Sequence, residues 1–133
     1  MFNPTKYKDF GLLILRLGIG GSFVVHGFPK LIAGPKKWAW LGGNMKNVGI
    51  DFAPEFWGFM AAFSECVGGL CVAIGFFTPI ASLLLFITMM IATLMHLKQG
   101  DPFKVYSHAL ESGIIFFALI FIGSGKYALK CKL

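Results

Sequence analysis

Arg16 is the only arginine in the chain, and it stands inside an apolar run, FGLLILRLGIGGSFVVHGFP, at residues 10–29. A second apolar run, residues 54–77, carries Glu65. A charge at the centre of a membrane helix costs about 2.5–3.5 kcal/mol on insertion scales, so such a residue faces a protein interior and finds a partner there. At about 1.5 Å per residue, counted from the ends of the two runs that face each other across the chain's long connection, Arg16 and Glu65 reach similar depths. The spacing therefore predicts an Arg16–Glu65 ion pair near the midplane. Other readings stay open: the pair only pins helix register, or Glu65 is protonated and unpaired, or it serves a proton path.

A second polar layer lies nearer the long connection. His26 and Lys30 close the first run, His96 closes a third, and His108 and Glu111 open a fourth, three residues apart on one helical face. An imidazole donates to a carbonyl oxygen or ligates a metal through one nitrogen. His26, Lys30, His96, His108 and Glu111 thus form a candidate layer for a quinone headgroup or for proton exchange. Among them His26, His96, His108 and Glu111 are weak metal candidates, and no metal site is predicted. A haem between His26 and His96 is a further, weaker alternative. The bland reading of each histidine is an interfacial side chain wetted by headgroups.

Other chemistries find no support. No G-x-S-x-G element is present, and Ser22, Ser64 and Ser82 read as helix-packing residues. The GIGG stretch at 18–21 lacks a preceding strand, so it is a packing feature and not a nucleotide fingerprint. Cys66 and Cys71 are five apart, about 140° around a helix, which suits neither a redox pair nor zinc. They read as small hydrophobes, and Cys131 stands near the terminus. No pair of interrupted helices in related halves marks a transporter, although a small transporter or metal-handling protein remains the third functional reading.

These side chains need elements to hold them. The chain has 133 residues, 56% of them apolar, and a mean hydropathy of +0.74. That excess argues for a membrane protein. Four apolar runs approach the length needed to cross about 30 Å of hydrocarbon: about 10–29, 54–77, 79–97 and 108–124. They predict an all-α fold, an antiparallel four-helix integral membrane bundle, as a single membrane domain over 1–133. The first run is not a signal peptide, because Arg16 interrupts it and no small-residue cleavage site follows.

The long connection, about 30–53, contains Trp38 and Trp40 among lysines and reads as an interfacial loop, with the Trp pair as anchor. The alternative is that GPKKWAWLGG dips back as a cover over the bundle. Pro54-Glu55 opens the second helix, and Thr78-Pro79 opens the third with Thr78 as an N-cap. Gly100-Asp101-Pro102 marks a turn, and Gly123-Ser-Gly125 ends the last helix.

The net charge of +6 does not imply nucleic acid. The lysines flank the apolar runs, as expected of anchors to anionic headgroups, and form no aromatic-interleaved stripe. Lys6, Lys8, Lys126, Lys130 and Lys132 lie on the terminal side, against Lys30, Lys36, Lys37, Lys46, Lys98 and Lys104 on the other. Five against six sets no orientation. The lipid bilayer is the expected partner, with a homodimer or a redox-enzyme partner as further candidates.

Taken in order, these motifs resemble the DoxX family. LRLGIGGSFVVHGFPK at 15–30 is similar to its first-helix pattern, with Arg16, His26, Gly27 and Lys30 in place. ECVGGLCVAIGFFTPIASLLLF at 65–86 resembles its second-helix glutamate, glycines and following turn, Ala92 to His96 fits the third helix, and GSGKYAL at 123–129 resembles the closing motif. The family often ends that motif with Asp, where this chain has Lys130.

The resemblance implies a small four-helix protein of the bacterial inner membrane with cytoplasmic termini. It also implies kinship with a subunit of a thiosulfate:quinone oxidoreductase. The leading expectation is a membrane subunit of a redox system that handles a quinone or relays electrons or protons to one. At most the chain is one part of an oxidoreductase. The alternative is a non-catalytic scaffold that docks a redox or stress-response enzyme through Lys36, Lys37 and Trp40.

Overall fold

The structure is a computed structural model that describes residues 3–128. Its four long helices are each long and apolar enough to cross a membrane. They are α1 (Pro4–Ile32), α3 (Pro54–Ile74), α4 (Thr78–Lys98) and α5 (Phe103–Ile122). Between the first two lies a short helix, α2 (Pro35–Gly42), continued by a 3-10 segment, Gly43–Val48. The expected helical membrane bundle is therefore what the chain forms, with one more helix than the hydropathy runs mark.

Local chemistry explains the helix ends. α1 begins six residues before the apolar run because the Asn3 side chain accepts from the Thr5 N–H at 3.1 Å and Pro4 occupies the first turn. α5 begins at Phe103, well before the run that starts at 108, because Pro102 is held extended and cannot continue the preceding turn. α3 stops at Ile74, where Gly75 takes φ 81. Thr78 does not cap α4 as expected. It is already helical, its Oγ1 is buried without a partner among the described residues, and the tight reversal is carried by Gly75 and by Phe77 at φ 51.

Small residues set the register between α1 and α3. Gly20 meets Gly69 and Ala73, and one layer along, Gly27 meets Glu65 and Cys66. A Cβ on either α1 glycine would overlap backbone of α3, so the two backbones touch. The buried face of α1 is Arg16, Gly20, Phe23 and Gly27, the stripe expected at 100° per residue. Phe23, Val72, Leu85, Met89, Phe116 and Leu119 form the centre of the core. The outer faces carry exposed Ile14, Leu17, Val25, Phe28, Ile87, Ile114 and Phe121, the surface an apolar solvent would cover.

The long connection is not a loose loop. Gly58 lies against the carbonyl of Trp38 and Gly42 against that of Pro54, so closely that neither position has room for a side chain. Trp38 packs its ring on Phe59 at 5.0 Å and donates its indole N–H to the Lys30 carbonyl at 3.1 Å. Two turns of α3 thus stand beyond the end of α1, and α2 fills the step. The covering role given to GPKKWAWLGG as an alternative is the one it takes. Trp40 stays 65% exposed on the outer side, where an anchor would sit.

Candidate functional site

The charges do not pair as the sequence suggests. Glu65 pairs with Lys30, Nζ to Oε2 at 2.8 Å, and not with Arg16. The cause is the step just described. Counting depth from residues 29 and 54 places both helix ends at one level, but α3 starts two turns further out. Glu65 therefore sits beside Gly27 and Arg16 beside Gly75. Those levels are separated by about 16 Å along α1, since eleven residues rise about 1.5 Å each.

Arg16 is fully buried in a lower layer. Its Nη2 donates to the Tyr127 carbonyl, while Nε and Nη1 have no hydrogen-bond partner among the described residues. The closing motif folds back to reach it: the Lys126 N–H donates to Asp9 Oδ1 at 3.2 Å, and Gly125 at φ 79 packs on Asp9 and Leu12. Arg16 thus holds the segment after α5 against α1 and Gly75. Lys130 and Cys131 lie outside the described residues.

The upper layer surrounds a cavity of about 530 Å³, within the roughly 300–1,000 Å³ range of ligand pockets. Helices α1, α3, α4 and α5 supply its walls, and α2 with the 3-10 segment supplies its roof through Lys37, Trp40, Leu41, Asn44 and Met45. Most of the wall is apolar, with Met60, Leu84, Ile87, Met89, Ile91 and Met95 in it. The polar groups are few: the Lys30–Glu65 pair, Ser64, Thr88, His26, His96 and His108. Trp57 also lines it, and its indole N–H is buried without an acceptor among the described residues.

Glu65 is placed by an irregular turn. Ser64–Gly68 is a single π-helical turn inside α3, a feature that recurs at functional sites. The Glu65 side chain is 6% exposed and that of Lys30 33%, so the carboxylate is the inner partner and the ammonium reaches it from the cavity's edge.

The histidines divide. His26 and His108 come together across α1 and α5, with ring centroids 5.6 Å apart. Phe23 stacks on His108 at 6.0 Å and meets Phe116 edge-on at 4.9 Å. His96 turns instead to Asp101, Nδ1 to Oδ2 at 2.8 Å, which fastens the turn after α4. A haem bridging His26 and His96 finds no such arrangement. Glu111 is exposed on α5 and is not among the residues lining the cavity, because it lies a turn past His108 on a face turned outward. Among the described residues no three His, Cys, Asp or Glu side chains are grouped to hold a metal.

Sequence reasoning did not single out Asn44, Met45 or Trp57 as lining residues or Asp101 as the partner of His96, and it named Lys37, Trp40 and Leu41 as a cover only through the alternative reading of GPKKWAWLGG. Trp57 and the Met residues carry no positional signal beyond apolarity. Asp101 was visible only as part of a Gly-Asp-Pro turn.

Comparison with known proteins agrees with the architecture. The DoxX family profile matches residues 11–97. An uncharacterized protein of Haemophilus influenzae is 29% identical over 138 aligned residues, covering 99% of this chain and 97% of that protein. No solved structure matches the chain significantly.

Proposed function

The chain belongs to the DoxX family of membrane proteins, and on that premise we propose that it is a subunit of a membrane redox system that binds a quinone headgroup under α2. The observation that carries this reading is an apolar chamber with one charged pair in its wall, the inner carboxylate of which is set on a π-turn. A quinone ring is flat, apolar and edged by carbonyl acceptors. The Lys30 ammonium has more donors than one carboxylate oxygen uses, so it can also donate to a ligand carbonyl. The Trp57 indole N–H and the histidine rings are further donors at the wall. Met and Trp side chains suit the faces of a conjugated ring.

Taking a quinone to a quinol consumes electrons and protons in equal number. The electrons are a partner enzyme's to supply. Glu65 and the histidines are this chain's means of handling the protons. The family suggests the bacterial inner membrane with cytoplasmic termini.

The test is quinone affinity, read by quenching of tryptophan fluorescence in lipid nanodiscs. Glu65→Gln, with its helicity and elution profile unchanged, is expected to bind at least about tenfold more weakly, because the Lys30 ammonium that donates to the ligand loses the carboxylate that holds it in place. Unchanged affinity in the folded variant would overturn the reading.

A second reading has one observation in its favour. Lys36, Lys37 and Trp40 are exposed together on α2, with Lys37 Nζ 4.4 Å above the Trp40 ring. This surface suits an acidic face on a docked enzyme. Lys36→Glu, at the one of the three that does not line the cavity, would then abolish co-purification of the partner while leaving quinone binding intact.

A further inference from the structure

We propose that the cavity exchanges its ligand sideways with the bilayer, through the gap between α1 and α5 that His26 and His108 flank. The inference rests on the quinone reading above and specifies how the ligand must be built: a headgroup held inside, and an apolar tail left outside among the lipids.

Lys37 and Trp40 in the roof also line the cavity and are exposed, but the roof is held against opening. It is fastened to α3 by two backbone contacts at Gly42 and Gly58, where no side chain fits. It is fastened to α1 by the Trp38 bond to the Lys30 carbonyl, and its 3-10 segment packs on α4. No such fastening joins the roof to α5. A cover held by backbone contact does not lift without breaking helix packing.

The α1–α5 side is different. α5 packs along α4 and scarcely approaches α1. What spans the gap is side chains: Phe23 against Phe116, then His26 against His108. Phe23 and Phe116 are fully buried and seal the gap toward the midplane. His26, Val105 and His108 line the cavity and are also exposed, so the cavity reaches the outer surface where they stand. Two imidazoles in contact can swing apart by rotamer changes on the ps–ns timescale of exposed side chains, whereas a helix must move as a body. Val25, one step around α1 from His26, is 71% exposed, and Val105 on α5 is 42% exposed, an apolar surface on which a tail can lie. A water-soluble ligand would need no such surface.

The test bridges the gap reversibly. In a chain with Cys66, Cys71 and Cys131 replaced by alanine, His26→Cys and His108→Cys are joined by a short bis-methanethiosulfonate reagent in nanodiscs. The association rate of a quinone with an isoprenoid tail is then followed by tryptophan quenching. The bridged protein is expected to associate at least about tenfold more slowly, and a reductant to restore the rate, because docking through a closed route needs a conformational change. A second variant, His26→Ala with His108→Ala, is expected to associate faster than the parent. Equal rates in the bridged and reduced forms would overturn the side route while leaving the quinone reading in place. Failure of the parent protein to bind any quinone would overturn both.

Discussion

Glu65 and Lys30 show why a buried charge must be read with its exposure. The Glu65 side chain is 6% exposed and the Lys30 side chain 33%, so the two are not equally costly to orphan. Removing one partner of a buried pair leaves the other uncompensated, which costs about 3–5 kcal/mol when burial is complete. Lys30→Met strands the inner carboxylate, and Glu65→Gln strands an ammonium that can reach headgroups or water. The expected order of thermal stability in nanodiscs is parent, then Glu65→Gln, then Lys30→Met, with the double variant recovering much of the loss. A larger loss from Glu65→Gln would contradict the pairing. Arg16 makes a different prediction. Its one hydrogen bond among the described residues goes to the Tyr127 carbonyl, so its role is to hold the segment after α5. Arg16→Met should leave the bundle folded and raise the rate of tryptic cleavage after Lys126 severalfold; an unchanged rate would remove that role. The stripe of Arg16, Gly20, Phe23 and Gly27 was legible in the sequence, because angle around a helix follows from residue spacing. The partner of Glu65 was not. Depth depends on where each helix begins relative to the other, and that is a tertiary fact set by α2.

The elements divide into those announced by hydropathy and those that only packing reveals. Four runs of apolar residues mark four spans, since in hydrocarbon each span must satisfy its own backbone. α2 has no such mark: PKKWAWLG mixes lysines and tryptophans, and its position depends on Gly42 and Gly58 meeting carbonyls on the facing segment. Glycines that touch backbone and glycines that touch nothing look alike in a sequence, but substitution separates them. Gly58→Val must displace Trp38, and a loss of about 1–3 kcal/mol is expected, as for overpacking elsewhere, together with loss of quinone binding. Gly18→Ala, with no atom near the new methyl, is expected to be neutral or slightly stabilising because it restricts the unfolded chain. Thermal melts of the two variants side by side check the assignment, and equal losses would contradict a fixed roof. The π-turn at Ser64–Gly68 was likewise silent in the sequence. Its residues are ordinary helix formers and glycines, and the extra residue in the turn is accommodated by contacts from α1 and α4.

At the scale of the whole molecule, two layers of polar groups lie on opposite sides of an apolar core. The lower layer, around Arg16, is closed by the chain's own closing motif and is structural. The upper layer, around Glu65, borders open volume and is where a ligand fits. Of the five residues expected to form one layer, His26, Lys30, His96 and His108 line the cavity, because all sit near helix ends on one side. That expectation could not foresee that Glu111 turns outward or that Asp101 engages His96. The central claim is that the upper chamber holds a quinone. The most direct measurement is native mass spectrometry of the protein released from lipid nanoparticles, in which retained phospholipid shows that weak ligands have not been stripped. The account predicts a population carrying the added mass of one quinone, absent from Glu65→Gln. A folded protein that retains phospholipid but carries no quinone, in parent and variant alike, would contradict it.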